Sequence, residues 1–311
     1  MKKSLLYMNL AVFLWGFTGV LGRAITLSAL SLVWWRVALT AAILALILTF
    51  TKSWTRIRGK DTLRTAAVGA LMAIHWVAFY GSIKLANASV ALICLSTASV
   101  FVALLAPLAR QARFDVGEVL LGLLALGGVF LIYRTQMHFG EGILWGVVAA
   151  FLSAVFTVLN KPLAVRYPPR SIVFWEMTAG VVLLSGMLLF FPELLGTSPF
   201  LPQQASYTAG ESLGQFLARP NDWLWLGCLS LFCTVWAQNL ALRGLKNLSS
   251  FTTTLLVNME PIYGIALAFL FFRESSEVTA GFYGGVGLIL LSVALQVARV
   301  MRPAKGSAKS L

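Results

Sequence analysis

Ten stretches of predominantly apolar residues run along the chain, and each is long enough to cross a lipid bilayer as a helix. The hydrocarbon core of a bilayer is about 30 Å thick and a helix rises about 1.5 Å per residue, so roughly 20 apolar residues span it. The predicted spans cover residues 4–22, 30–50, 63–84, 87–109, 116–133, 140–160, 171–191, 223–242, 249–272 and 278–298. The sequence therefore predicts an all-α integral membrane protein with ten transmembrane helices.

The composition supports burial in lipid. Of the 311 residues, 59% are hydrophobic and 11% are charged, which is more apolar surface than one soluble core can hide. The net charge of +13 raises the question of a nucleic-acid partner, which would require basic residues gathered on one solvated face. Here they occupy short gaps between apolar runs, so we expect the lipid bilayer as a partner and no nucleic acid.

The distribution of lysine and arginine predicts the orientation. With a cytoplasmic N-terminus, 18 of the 24 basic residues fall on cytoplasmic segments. The positive-inside rule then places both termini in the cytoplasm, and we expect a multi-pass chain in the cell (inner) membrane. The longest predicted loop, residues 192–222, lies outside, where it either folds over the exit or is disordered.

The second half of the chain repeats features of the first at an offset that grows from 140 to 162 residues. Residues 34–36 align with 174–176, and residues 85–89 align with 245–249. This indicates two repeats, residues 1–135 and 136–311. Five spans per repeat is an odd number, so the two halves cross the membrane in opposite directions, which is typical of transporters.

Several motifs carry a resemblance to a known family. They are Leu14-Trp15-Gly16, Arg36, the run from Asn258 through Pro261 to Tyr263, the run from Phe272 to Glu274, and the glycines 284, 285 and 287. Over nearly its whole length the chain resembles the EamA type of the drug/metabolite transporter superfamily. The resemblance implies a basket of ten helices, a cavity lined mainly by the third, fourth, eighth and ninth, and metabolite export as a common activity.

The two halves differ at one feature of this pattern. Where the second half has Pro261 and Glu274, the first half has Ser99 and Ala112. The first half therefore lacks the proline of the ninth helix, which argues against identical gating by the two halves.

Glu260 and the helix break at Pro261 are the first candidates for function. Pro261 removes one backbone hydrogen bond near the middle of the ninth span, and Thr254 and Asn258 share one face of that helix. An ionisable group in the hydrocarbon is costly and needs a partner or a cavity. Glu260 thus either binds a substrate amine or a coupling proton, or is hydrogen-bonded to a neighbouring helix and fixes packing.

The third span contributes His75, with Trp76 and Tyr80 beside it. A histidine titrates near neutral pH, so His75 either responds to a proton gradient, hydrogen-bonds a substrate carboxylate, or ties two helices together. Arg36, early in the second span, either lies at an outer vestibule that attracts anions or extends outward past Trp34 and Trp35.

Polar side chains of the fourth and eighth spans complete the predicted cavity. Ser96 and Thr97 lie in the fourth span, and Gln238 and Asn239 lie in the eighth. The alternative for all of them is hydrogen bonding between packed helices.

These features favour a secondary transporter or facilitator that exports small metabolites, such as amino acids, by alternating access. The sequence has no phosphate-binding loop, no His-Glu-x-x-His and no dinucleotide fingerprint, and its three cysteines lie in apolar stretches. We therefore expect no cofactor, no metal, no catalytic residue and no ATP hydrolysis. The sequence is compatible with protons as the coupling ion, and with either a monomer or a homodimer. The alternatives are a sugar-phosphate or nucleotide-sugar carrier, an intramembrane enzyme, and a receptor or assembly partner with a closed cavity.

Overall fold

The computed structural model describes residues 2–135, 137–191, 219–273 and 279–301, and all regular structure in these ranges is helical. Most of the loop predicted over 192–222, the residue Glu274 and the tail after residue 301 lie outside them. The helices are α1 Lys2–Ala24, α2 Ala29–Phe50, α3 Lys60–Leu85, α4 Ala88–Leu95, α5 Ala98–Leu108, α6 Val116–Thr135, α7 Gly140–Arg166, α8 Pro169–Phe190, α9 Pro220–Ser230, α10 Ala237–Asn247, α11 Ser250–Val257, α12 Glu260–Phe272 and α13 Ala280–Met301.

Eight helical segments of the described chain are long and apolar enough to cross a membrane. Four of them use α1, α2, α3 and α4 with α5, and the other four use α6, α7, α8 and α9 with α10. The remaining apolar helices, Glu260–Phe272 and Ala280–Ser292, are shorter. The protein is therefore an all-helical, multi-pass membrane protein.

Side-chain contacts define two ends of the helical bundle. At one end Asn247 donates a hydrogen bond to Ser4 over 3.1 Å, and Arg166 pairs with Asp61 at 2.9 Å. At the other end the backbone N–H of Thr26 donates to Asp222 over 2.9 Å. We call the first the basic end, because the helix ends and turns gathered there hold most of the lysines and arginines, and the second the opposite end.

Glycines permit the closest helix contacts. A side chain added at Gly69 in α3 would collide with the backbone of Glu176 in α8, and one added at Gly128 in α6 would collide with the carbonyl of Gly285 in α13. Inside a bilayer the hydrophobic effect does not drive helices together, because lipid tails are as apolar as the helix surfaces. Small residues instead let helix backbones come close enough to pack tightly. The bundle is thus held by close packing of α3 on α7 and α8, of α6 on α13, and of α1 on α10 and α12.

Three membrane helices are irregular near their middle. The fourth predicted span is interrupted at residues 96–97, the ninth at residues 258–259, and the eighth has a wider π-helical turn over 231–236. The interruption of the fourth span occurs without the proline of the ninth. There, Thr97 Oγ1 donates to the carbonyl of Cys94 over 2.7 Å and Ser99 Oγ donates to that of Ser96 over 3.0 Å. Such hydroxyls compete for backbone carbonyls and locally reshape a helix.

An ion pair joins α6 and α13 at the basic end. Arg299 donates two hydrogen bonds to Asp115, over 2.7 and 2.8 Å, and together with the backbone N–H of Gly117 it holds the pKa of Asp115 below its ordinary value. A lowered carboxyl pKa contributes stability that is present above the unfolded-state pKa and lost as the pH falls through the folded-state pKa.

We expect the pair to make a small, acid-sensitive contribution to stability. Both side chains are about 40% exposed, which limits the contribution to about 1 kcal/mol or less. Asp115→Asn should therefore remove part of the loss of thermal stability below about pH 4, where an ordinary aspartate protonates. Thermal unfolding in detergent between pH 6 and pH 3 (roughly the range in which carboxyls titrate) checks this, and identical curves for both proteins would contradict it.

Candidate functional site

A cavity lies in the centre of the bundle and extends from its middle toward the basic end. About 90 Å³ of it is open to the centres of water molecules, which is room for several waters. Its apolar wall includes Trp15, Trp76, Phe79, Leu95 and Phe156. Its polar wall consists of Thr18, Arg36, His75, Ser153, Thr157, Asn160, Gln238, Thr253 and Glu260.

Arg36 of α2 is the only lysine or arginine in the wall of the cavity as far as the structure describes it. The side chain is 1% exposed and its Nε donates to Thr234 Oγ1 over 2.9 Å, within the π-helical turn. Its Nη1 donates to Tyr80 Oη over 2.8 Å, and its guanidinium carbon lies 3.8 Å from the centre of the Trp76 ring. A cation over an aromatic face is stabilised by the negative charge of that face.

The position of Arg36 corrects the sequence interpretation. Arg36 was predicted to lie at an outer vestibule or to extend past Trp34 and Trp35, and the structure instead turns it inward into the cavity. The reason is that the π-helical turn presents the hydroxyl of Thr234 toward α2. The sequence gives no sign of that turn.

His75 of α3 has a defined proton position. Its Nδ1 lies 2.7 Å from the carbonyl oxygen of Ala149. Because a carbonyl only accepts, Nδ1 carries the proton, and in the neutral ring Nε2 is left as an acceptor. Nε2 has no hydrogen-bond partner among the described residues, and His75 forms part of the cavity wall.

Glu260 begins α12, and in the described part of the chain its side chain has one weak hydrogen-bond partner. Its Oε1 lies 3.4 Å from Thr18 Oγ1, but that hydroxyl also lies 2.7 Å from the carbonyl of Trp15. A hydroxyl has one proton, and the shorter bond is the stronger. Glu260 is buried and borders the cavity, so its carboxyl group is available to a ligand there.

The structure brings some of the predicted residues together and not others. His75, Trp76, Gln238 and Glu260 border the cavity, as does Arg36. Tyr80 lies behind Arg36 and holds it in place. The other predicted residues are buried between helices outside the cavity wall: Ser96, Thr97, Asn239, Thr254 and Asn258.

Three of these residues bond to the backbone of their own helices. Thr97 bonds to Cys94, Thr254 to the carbonyl of Ser250, and Asn239 to that of Val235. Pro261 follows the interruption at residues 258–259 and occupies the first turn of α12, where a proline needs no backbone hydrogen bond.

Helix α7 contributes a polar face that the sequence interpretation missed. Ser153, Thr157 and Asn160 lie on this helix and border the cavity. Their spacing of four and three residues places them on one side of a helix, and this pattern could have identified them. The cavity is therefore bordered by the first, second and sixth predicted spans as well as by the third, fourth, eighth and ninth.

Hydrogen bonds cross the basic end of the bundle next to the cavity. Lys161 of α7 donates to the backbone carbonyls of Leu245 and Lys246 at the end of α10 and to that of Leu248 in the turn after it. We call this set of bonds the lysine clasp. Leu245 and Asn160, which neighbour it, both belong to the cavity wall.

A different set of hydrogen bonds crosses the opposite end of the bundle. Lys84 at the end of α3 donates to the carbonyl of Ile25, and Asp222 accepts from the backbone N–H and the hydroxyl of Thr26 at 2.9 and 2.7 Å. Tyr80 packs directly on Gly22. Both ends of the cavity are thus crossed by hydrogen bonds between different helices.

The residues of the cavity suit binding better than metal chemistry. No group of three or more His, Cys, Asp or Glu side chains able to hold a metal ion occurs in the described ranges. The site offers one guanidinium, one carboxyl group, one imidazole and several aromatic faces, all of which recognise small polar and amphiphilic molecules.

Comparisons with known proteins agree with this architecture. A solved crystal structure matches with a TM-score of 0.65 over 97% of this chain and 100% of the other, at 15% identity, which shows the fold. Among curated proteins, the uncharacterized transporter YxxF of Bacillus subtilis is 22% identical over 83% of this chain and 75% of its own length. An uncharacterized transporter of Archaeoglobus fulgidus is 25% identical over 74% and 77% respectively.

The family assignment rests on both halves of the chain. The model of the EamA-like transporter family matches residues 2–134 and matches again over residues 140–298. Together these matches cover nearly all of the sequence, including every helix that borders the cavity. The chain is therefore a membrane transporter and belongs to the EamA-like transporter family.

Proposed function

We propose that this protein is a secondary transporter or facilitator that exports small metabolites, amino acids among them, by alternating access. The observation that carries the proposal is the central cavity, which holds Arg36 and Glu260 away from lipid, in a bundle with a separate set of hydrogen bonds at each end. Charged side chains at this depth are costly unless they serve a ligand or a water-filled space. Two separate sets of contacts suit a carrier, because breaking each in turn exposes the site to one side.

The proposal includes ten transmembrane helices arranged as two inverted repeats. Separate family matches to residues 2–134 and 140–298 support it, as do helix interruptions at residues 96–97 and 258–259, which differ by the repeat offset. Exchange of conformations between two similar halves converts one open state into the other. The charge distribution supports cytoplasmic termini in the inner membrane, so that the basic end is the cytoplasmic end.

The composition of the cavity favours an amphiphilic substrate over a phosphorylated one. Phosphate sites use several cations, or a cation with a helix N-terminus, and Arg36 is the single Lys or Arg that borders the cavity in the described structure. Trp15, Trp76 and Phe156 offer aromatic surface instead. This arrangement makes sugar phosphates and nucleotide sugars the less favoured substrates.

The test is transport in proteoliposomes. Uptake and efflux of a panel of labelled amino acids and amphiphilic metabolites are compared with and without a pH gradient, in wild type, Glu260→Gln and Glu141→Gln. We expect the pH gradient to drive the transport of at least one compound by wild type. Glu260→Gln should lose this dependence on the pH gradient, because its amide cannot bind and release a proton. Glu141, exposed at the start of α7, is the matched control and should keep it.

Two results would change the proposal in different ways. Transport that ignores both the gradient and the Glu260 substitution would identify a facilitator and return Glu260 to a packing role. No movement of any compound by protein that is folded and correctly inserted would refute the transport of small metabolites of this class.

A further inference from the structure

Arg36 is held in place by hydrogen bonds and lies near enough to Glu260 for the two charges to attract, but no described carboxylate is in contact with it. A guanidinium has five N–H groups, of which Nε uses one on Thr234 and Nη1 uses one on Tyr80. The other three, including both on Nη2, have no acceptor in the described part of the chain, and no described carboxylate forms an ion pair with Arg36. A rigid planar donor of this kind matches the two oxygens of a carboxylate.

The same cavity offers acceptors of the opposite character. Glu260 has one weak contact to Thr18, and His75 has an unprotonated Nε2 in its neutral form, because Nδ1 donates to Ala149. A carboxylate and an imidazole nitrogen both accept hydrogen bonds and suit an ammonium group, which only donates. The cavity therefore has a donor-only group and an acceptor pair on different helices.

We infer that Arg36 binds the carboxylate of a zwitterionic substrate, and that Glu260 and His75 bind its ammonium group. The inference rests on the proposed function and names the substrate class and the residues that select it. A ligand with a single charge would leave either Arg36 or Glu260 buried without an opposite charge in contact, which is unfavourable. A zwitterion satisfies both, so the site selects against amines, amides and simple acids of the same size.

The surrounding aromatic residues limit what the rest of the substrate is. Trp15, Phe79, Leu95 and Phe156 border the cavity alongside the charged groups. Apolar pockets discriminate weakly between side chains of similar size, whereas unmet charges discriminate strongly. We therefore expect broad tolerance of apolar amino-acid side chains and little tolerance for loss of either charge.

Binding to purified protein tests the inference without transport. Trp15 and Trp76 border the cavity, so quenching of intrinsic fluorescence reports occupancy. The probes are alanine, leucine and phenylalanine, each with its amide, its decarboxylated amine and its deaminated acid. At least one amino acid should bind, and its three analogues should bind ~10-fold to ~100-fold more weakly, the range for loss of a hydrogen bond to a charged group.

Reciprocal variants assign each charge to its residue. Arg36→Gln should weaken binding of the amino acid by a similar factor and leave the amine as tight as before or tighter, so that the preference for a carboxylate disappears. Glu260→Gln should do the reverse and abolish the preference for an ammonium group. Tyr80→Phe removes one bond that holds Arg36 but keeps the guanidinium, and should retain the preference for the amino acid over its amine.

The preference ratios separate recognition from folding. A variant that is merely destabilised would weaken the binding of every probe alike, and thermal unfolding identifies a variant that is not folded. If Arg36→Gln is not folded, Arg36→Lys is used in its place. Arg36→Lys should lower the preference for the amino acid, because lysine lacks the two-pronged geometry of arginine. Equal binding of amino acid and amine by wild type, or no binding of any zwitterion, would overturn the inference. If other metabolites are still transported in that case, the proposed function stands and this inference alone fails.

Discussion

Replacing Gly69 by alanine is expected to destabilise the protein by about 1–3 kcal/mol, and replacing it by valine is expected to prevent normal folding. A side chain at this position would collide with the carbonyl oxygen and Cα of Glu176, so α3 and α8 would have to separate. Backbone atoms of a packed helix cannot move aside as the end of a flexible side chain can. The collision therefore falls on the whole helix contact.

The same substitution should also lower transport. His75 and Trp76 lie six and seven residues beyond Gly69, which is about two helical turns, so a displaced α3 carries them away from Arg36 and Glu260. Thermal unfolding of the detergent-purified protein and transport in proteoliposomes measure the two effects.

Gly180 provides the matched control for this prediction. It lies in α8 on the same helix contact, yet a side chain there would meet Ala73 and Gly69 only at ordinary distances of 3.4 and 3.5 Å. Gly180→Ala should therefore be close to neutral, or slightly stabilising because alanine favours helix. Equal stability of Gly69→Ala and wild type, or equal damage by both alanine substitutions, would show that this contact does not determine how closely the helices pack.

The sequence predicts the eight long apolar segments of the described chain well, because a bilayer imposes one strong rule on length and apolarity. It does not predict their irregularities. The fourth span, residues 87–109, reads as one helix, yet it is interrupted at residues 96–97 by side-chain hydroxyls of Thr97 and Ser99. Serine and threonine also occur in regular helices, so only the structure shows which hydroxyls bond to the backbone.

The helix faces explain which site residues the sequence could indicate. His75 and Glu260 stand out because ionisable groups are rare in membrane helices, and both border the cavity. Thr254 and Asn258 are also polar but are buried outside the cavity wall. In a helix that is apolar on all sides, no polar face shows which side borders the cavity. Only the structure therefore shows whether a polar residue of such a helix packs between helices or can contact a ligand.

Breaking the lysine clasp is expected to open the cavity at the basic end. Lys161 donates to three carbonyls at the end of α10 and the turn after it, where a helix leaves its last carbonyls unpaired and favours a positive charge. Lys161→Met removes all of these bonds. If they contribute about 2 kcal/mol to the closed state, their loss shifts the ratio of open to closed protein by roughly 30-fold.

Thiol labelling measures this shift directly. Ala241 lies in the cavity wall on α10, so a cysteine placed there, in a background in which Cys94, Cys228 and Cys233 are replaced, reports access from each side. A membrane-impermeant reagent is added to vesicles of each orientation. From the basic end, Lys161→Met should label faster than the parent protein, by about the same factor as the shift in the ratio of open to closed protein. Labelling from the opposite end should slow or stay unchanged, because the hydrogen bonds of Lys84 and Asp222 at that end are kept.

Lys246→Met separates the clasp from the charge of the same turn. Lys246 is exposed and its backbone carbonyl, not its side chain, takes part in the clasp, so the substitution removes a positive charge and keeps every bond from Lys161. It should label like the parent protein. Lys84→Met should produce the mirror result, with faster labelling from the opposite end, if two separate closures govern access. Unchanged labelling in both Lys161→Met and Lys84→Met would mean that helix packing alone closes the cavity. Faster labelling in Lys161→Met alone would mean that only the basic end is closed by a side chain.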